Sequence, residues 1–274
     1  MVVLWERFHR ERNCAAKSSL RNRSHHVKFT PFTQPIGSLN SHVMAQNLQY
    51  RATAAASCRR WFRFILRRII LKLYFSNGAC SLAPHIALRE SGLAFDLVRA
   101  STKTHQLDDG TDFYTINQKG SVPVLELDSG ERLTEGPAIV QYIADQVPDK
   151  HLAPANGTLP RYRLQEWLNF ITSELHKSYG PLFRDTTPEA YKVISKEALM
   201  KKYGMVDGWL AGKNYTMGEQ FSVADAYLFT VTNWAGFVGL DLSGYKNLSA
   251  FMERVRARPA VQAALVAEGL VKAA

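Results

Sequence analysis

Residues 148–160 divide this chain into two kinds of pattern. Before that stretch, from Leu71 to Gln146, short apolar runs of strand length alternate with helical stretches. After it, every periodic stretch reads as helix. Strands and helices followed by helices alone imply two domains, α/β and then all-α. The expected boundaries are 71–147 for the first domain, 148–159 for a linker and 160–274 for the helical domain. In the first domain, Leu71 to Phe75 reads as a buried strand ended by the turn Ser76-Asn77-Gly78. A helix follows from about Cys80 to Ser91, with Leu82, Ile86 and Leu88 inward and Gly92 as terminator. Ala94 to Ala100 returns as a second strand, so this βαβ unit should be parallel with a right-handed crossover. A short helix is expected around Asp109–Thr115. Val124–Leu127 and Glu131–Leu133 flank a hairpin turn, and a helix runs from Glu135 to Gln146.

The second domain should hold helices over Arg161–Tyr179, Pro188–Leu210, Val223–Phe237, Leu248–Arg256 and Val261–Ala267. Ser222 and Asp225 are spaced as a capping box with Asp in place of Glu.

Charge isolates the first quarter of the chain. Residues 1–70 hold 13 of the 34 Lys and Arg but only two of the 24 acids. Residues 1–60 show no sustained periodicity, and 1–70 reads as a basic, disordered extension. A start site placed too far upstream would explain it, as would a targeting segment. A basic amphipathic helix over residues 61–71, attached to a membrane surface, is a minor reading. The remainder is close to neutral, so no nucleic-acid partner is expected. No apolar run reaches the roughly 18–20 residues of a membrane span. Cys14, Cys58 and Cys80 are too few and odd in number for a disulfide framework. They fit a reducing compartment, hence a cytoplasmic protein.

Cys80 stands just after a turn at the start of a helix. Unpaired N–H groups and the helix dipole favour an anion there, which predicts a lowered thiol pKa. A small residue packed in the core is the plainer alternative. Ser81 beside it could donate to an anion, or could simply be a residue of the first helical turn. Glu135-Gly136 opens another helix, whose N-terminus suits a carboxylate. Asn169, Ser173 and His176 fall at i, i+4 and i+7 and should share a helix face.

The string Leu73-Tyr74-Phe75-Ser76-Asn77-Gly78-Ala79-Cys80-Ser81-Leu82, continued by Pro84-His85-Ile86-Ala87-Leu88-Arg89-Glu90, resembles the opening of beta-class bacterial glutathione transferases. So do Asn117-Gln118-Lys119-Gly120-Ser121-Val122-Pro123, Leu133-Thr134-Glu135-Gly136-Pro137-Ala138-Ile139, Trp167 through Lys177, and Phe221-Ser222-Val223-Ala224-Asp225. The resemblance covers 71–274 and none of 1–70.

It implies a thioredoxin-like domain plus an all-α domain, usually a homodimer. It also implies conjugation of glutathione, as co-substrate, to a hydrophobic electrophile in detoxification, with no metal or cofactor. Cys80, Ser81 and His176 become the candidate catalytic residues. Cys80, His105, Val122, Glu135, Gly136, Asn169, Ser173, Glu174, Leu175 and His176 become the candidate glutathione contacts. Val122-Pro123 is expected to be cis, exposing the Val122 backbone to the cysteinyl backbone of glutathione. Glu135 would take the γ-glutamyl ammonium. His105 stands where the family often has a Lys reaching the glycine carboxylate. Phe75 replaces a Tyr common in the class, and Tyr74 should point to the opposite face. Phe75, Tyr179, Phe183 and Trp234 are aromatic candidates for the electrophile side. Two other activities fit the same residues. One is monothiol glutathione-dependent thiol–disulfide exchange through Cys80, since Ala83 rules out a CxxC pair. The other is a non-catalytic ligand-binding or interaction module.

Overall fold

The computed structural model describes residues 71–272. The basic extension and the amphipathic stretch at 61–70 lie outside the described residues. Strands β1 (Leu71–Phe75), β2 (Phe95–Arg99), β3 (Val124–Glu126) and β4 (Arg132–Thr134) form one sheet in the order β2-β1-β3-β4. β1 pairs parallel with β2, Leu73 opposite Leu97, and antiparallel with β3, Leu73 opposite Leu125. β3 and β4 are antiparallel. Alternation along β1 sorts its side chains between two cores. Leu71, Leu73 and Phe75 enter the main core, whereas Tyr74 joins Phe113, Val122 and Val124 on the other face. The Tyr74 hydroxyl donates to Glu126 Oε2 at 3.1 Å, so no tyrosine replaces the one missing at Phe75.

Helices α1 (Leu82–Ser91) and α2 (Gly136–Gln146) cover the main-core face. Helix α1 begins two residues later than the sequence suggests. Ala79 and Cys80 instead accept from the N–H groups of Leu82 and Ala83 in tighter i→i+3 turns. It ends as expected, at Gly92 with φ 72°. The helix is buried nearly all round, because α2, α5 and α7 pack on it as well as the sheet. The helix expected at Asp109–Thr115 shrinks to a 3₁₀ turn, Phe113–Thr115, capped by the Asp112 carboxylate on Tyr114 N–H.

The rest is helical: α3 (Leu159–Phe170), α4 (Glu189–Leu210), α5 (Val223–Thr232), α6 (Lys246–Arg256) and α7 (Pro259–Ala267). α3 runs on through a π-helical segment, Ile171–His176, into a final turn, Lys177–Tyr179. Sequence spacing alone does not reveal that widening, which often marks a functional site. α5 stops at Thr232, and Asn233–Val238 continues as 3₁₀ helix. The box before α5 is present: Asp225 accepts from the N–H of Ser222 (2.7 Å) and of Thr216 (2.7 Å), and from the Ser222 hydroxyl. Burial pushes the Asp225 carboxyl up, opposed by those N–H donors.

Candidate active site

Ser76 to Cys80 forms the floor of a cleft of about 630 Å³ between the sheet domain and the helical domain. His176, Lys177, Tyr179, Phe183, Trp234, Phe237 and Leu270 line its helical side, and Thr102 its rim. Three groups from the helical domain hold the floor. Trp234 Nε1–H donates to Gly78 O at 2.8 Å. Gly78 N–H donates to Glu268 Oε2 at 2.8 Å, and the Asn77 amide donates to Glu268 O at 2.7 Å. Gly78 sits at φ 67°, with the Leu270 side chain 3.2 Å from where a Cβ would stand. A side chain there would be strained and crowded at once.

Glu268 is itself buried, at 1% exposure. Its Oε1 lies 2.8 Å from Nδ1 of the fully buried His85. Arg89 donates its Nε–H to His85 Nε2 at 2.9 Å. Since an arginine can only donate, Nε2 must accept and the imidazole proton sits on Nδ1, facing Glu268. The chain Arg89–His85–Glu268–Gly78 thus joins α1, the segment after α7 and the cleft floor in one polar network.

Cys80 Sγ–H donates to Val122 O at 3.3 Å. The Val122–Pro123 bond is cis, as the resemblance implies. The loop before it is fixed by Asn117, whose amide donates to Ser121 O (2.7 Å) and whose Oδ1 accepts from Lys119 N–H (3.2 Å). Gly120 must be glycine: it has φ 64°, and a Cβ would lie 2.5 Å from the Tyr114 ring. His105 completes this wall with Nδ1 2.9 Å from Gly120 O and its ring 4.8 Å from that of Tyr114.

The expected depression of the Cys80 thiol is not met. Burial pushes it up to about 12, with the nearby Glu135 and Glu268 carboxylates adding to the rise. The N–H groups of Cys80 and Ser81 pull the other way and lose. Near neutral pH this group is a thiol that donates, in keeping with its bond to Val122 O. His176 is likewise neutral: burial lowers it to about 4, helped by the adjacent Lys177 and opposed by Glu135. Its Nδ1 lies 2.6 Å from the Tyr227 hydroxyl, and its ring meets Trp234 edge-on at 4.9 Å.

Glu135 caps α2 in a conformation rare for a non-glycine residue, φ 69° and ψ 113°. Such strain often collects at functional positions. Its carboxylate is held by Lys119 Nζ at 2.5 Å. Gly136 follows as the first helical residue, where N–H groups have no helical partner.

Several predicted contacts lie elsewhere. The Ser81 hydroxyl is fully buried and closes the floor loop on itself, accepting from Ser76 N–H (3.1 Å) and donating to Ser76 O (3.2 Å). Leu175 is wholly inside the core and presents no surface to a ligand. Glu174 pairs with Lys202 at 3.0 Å. Asn169 and Ser173 are exposed, and Ser173 donates to Asn169 O at 3.1 Å; of the predicted contacts only Cys80 and His176 line the cleft, with His105, Val122, Glu135 and Gly136 outside its lining. Among the aromatics, Tyr179, Phe183 and Trp234 reach the cleft, whereas Phe75 goes to the core. Phe237, Leu270, Tyr227 and Glu268 carry no motif that sequence reasoning could have used. A larger cavity of about 710 Å³, lined in part by Asp145, His151 and Phe221 beside the linker, contains none of the predicted site residues.

Comparison with known proteins agrees with this geometry. The family model for the N-terminal domain of glutathione S-transferases matches residues 78–146, and the model for their C-terminal domain matches 168–259. Glutathione S-transferase GstA of Escherichia coli O157:H7 is 50% identical over 200 residues, covering 73% of this chain and all of the relative. A solved beta-class glutathione S-transferase from Sphingomonas chungbukensis is 52% identical with a TM-score of 0.71, covering 73% of this chain and all of that one. A sphingomonad glutathione S-transferase solved with glutathione is 48% identical, with the same TM-score and coverage. The chain belongs to the glutathione S-transferase family.

Proposed function

We propose that this enzyme conjugates glutathione to hydrophobic electrophiles as a cytoplasmic detoxifying transferase. The observation that supports this most is the placement of the Cys80 thiol. It lies beside the cis Val122–Pro123 backbone, at the floor of a cleft whose opposite wall is aromatic. The glutathione peptide would pair with the Val122 backbone. Its γ-glutamyl carboxylate would meet the N-terminus of α2 at Gly136, and its ammonium would meet Glu135. His105 would face the glycine carboxylate. The Cys80 S–H would turn from Val122 O to the glutathione sulfur and donate to the developing thiolate. The aromatic wall would hold the electrophile near that sulfur. A raised thiol pKa weighs against the disulfide-exchange alternative, because exchange needs a thiolate.

The test is calorimetric binding of glutathione, together with conjugation to chlorodinitrobenzene above the uncatalysed rate. Binding with turnover is expected. Absence of both would leave the family fold with a different activity.

The enzyme is further proposed to act as a homodimer. Trp167, Phe170 and Trp209 pack edge to face around a surface hollow of about 430 Å³, and Trp209 remains 40% exposed. Aromatic clusters left open to water tend to mark interfaces. Sedimentation should give a dimer, and Trp209→Glu should shift it toward monomer. A monomeric wild type would rule this out.

A further inference from the structure

The cleft wall is more specific than a generic apolar surface. Phe183 stacks on Tyr179 (centroids 6.1 Å, 25°) and meets Trp234 edge-on at 5.8 Å. Phe183 and Phe237 nevertheless remain 51% and 76% exposed. Large aromatic faces left uncovered in a concave site favour a flat aromatic occupant.

The same wall carries an unmatched charge. Among the described residues, the exposed Lys177 is the only lining side chain charged at neutral pH, since His176 is neutral there. The nearby acids are already engaged: Glu174 pairs with Lys202, and Glu135 with Lys119. Among the described residues, no acceptor is bonded to the Lys177 ammonium. In the reading above, both carboxylates of glutathione go to the sheet domain, at Gly136 and His105. Lys177 is therefore left for the second substrate.

We propose that the preferred electrophile is a planar aromatic compound bearing an acidic group, a carboxylate or sulfonate. Its ring contacts Phe183, Trp234 and Phe237, and its anion meets Lys177. The inference rests on the transferase reading. With an aryl chloride the reaction is an aromatic substitution. The glutathione sulfur forms a bond to the ring carbon, the carbon–chlorine bond breaks, chloride leaves with the bonding pair, and the thiol proton passes to solvent.

The full-length protein is assayed with chloronitrobenzoate and with its neutral analogue chloronitrobenzamide, each kcat/KM divided by the uncatalysed rate constant. The benzoate should be favoured about fivefold, the upper end for one charge contact at an exposed lysine. Lys177→Gln should bring the ratio close to one, and added salt should erode it in the wild type. Phe237→Ala, at an exposed position that does not endanger folding, should lower kcat/KM for both compounds and leave the ratio intact. A wild-type ratio near one, or a ratio unaltered in Lys177→Gln, overturns the proposal. Glutathione affinity is measured on the same preparations. Failure to bind glutathione defeats the transferase reading first. If glutathione binds without turnover, the affinities of the two synthetic aryl–glutathione conjugates decide, and equal affinities overturn the proposal.

Discussion

Glu268→Ala should lower the stability of the folded protein by about 3–5 kcal/mol and slow conjugation about tenfold. The carboxylate accepts from Gly78 N–H and from His85 Nδ1–H inside a site with almost no access to water. Truncation leaves both donors buried without a partner, each costing roughly 1–3 kcal/mol. It also releases the turn that sets the position of Cys80. Glu268→Gln keeps one acceptor oxygen but points an NH₂ group at the other donor, so its loss should be smaller. Urea denaturation gives the stability and kcat gives the turn. Wild-type values for Glu268→Ala in both would show that the network is incidental. Trp234 still holds Gly78 O in this variant, so the fold should survive for measurement.

The second large effect concerns Cys80. Cys80→Ala should lower conjugation only about tenfold, and any mixed disulfide with glutathione that forms at this position should appear only in strongly alkaline solution and be absent from the variant. Adduct formation requires the Cys80 thiolate to attack a sulfur of the disulfide, breaking the S–S bond and releasing one glutathione thiolate. Among the described residues, no other group lining the cleft can do this. Conjugation loses only a donor hydrogen bond from a neutral thiol, which is a weak donor. Because burial pushes the thiol up to about 12, its alkylation by iodoacetamide should still be rising at about pH 10. A cysteine of ordinary pKa near 8.5 would have levelled off by then. Peptide mapping by mass separates Cys80 from Cys14 and Cys58. A plateau near pH 8, or a loss of conjugation beyond about a thousandfold, would reinstate Cys80 as an activated nucleophile.

The local parts of this site were legible because each depends on neighbouring residues. Gly92 after a helix, Ser222 with Asp225, and the alternation of Tyr74 and Phe75 on a strand are decided within a few positions, and the structure has them. Cys80 failed differently. Its place at a helix start was read well enough, but its proton affinity is set by burial and by the distant Glu135 and Glu268 carboxylates brought near it, which local sequence does not contain. Spacing of i, i+4 and i+7 grouped Asn169, Ser173 and His176, yet the π-helical segment Ile171–His176 alters the helical phase between the first of them and the last. Leu175 was reached through resemblance alone, and resemblance assigns positions without saying which side chains are buried; Ser81 was read from its place at the helix start, which does not show that its hydroxyl turns inward onto Ser76. Glu268, Leu270 and Phe237 reach the cleft only through tertiary packing, so no window of sequence points to them.

The bond between Gly78 and Glu268 spans 190 positions, and that separation bears on synthesis. The sheet domain can begin to fold as soon as it leaves the ribosome. Its cleft floor nevertheless stays untethered, and α1 lacks α5 and α7, until the far end of the helical domain has been made. A nascent chain halted before Glu268 would carry Cys80, Val122 and Glu135 without a finished site. The cleft floor is therefore completed only when translation is nearly finished, by a residue made long after the turn that it holds.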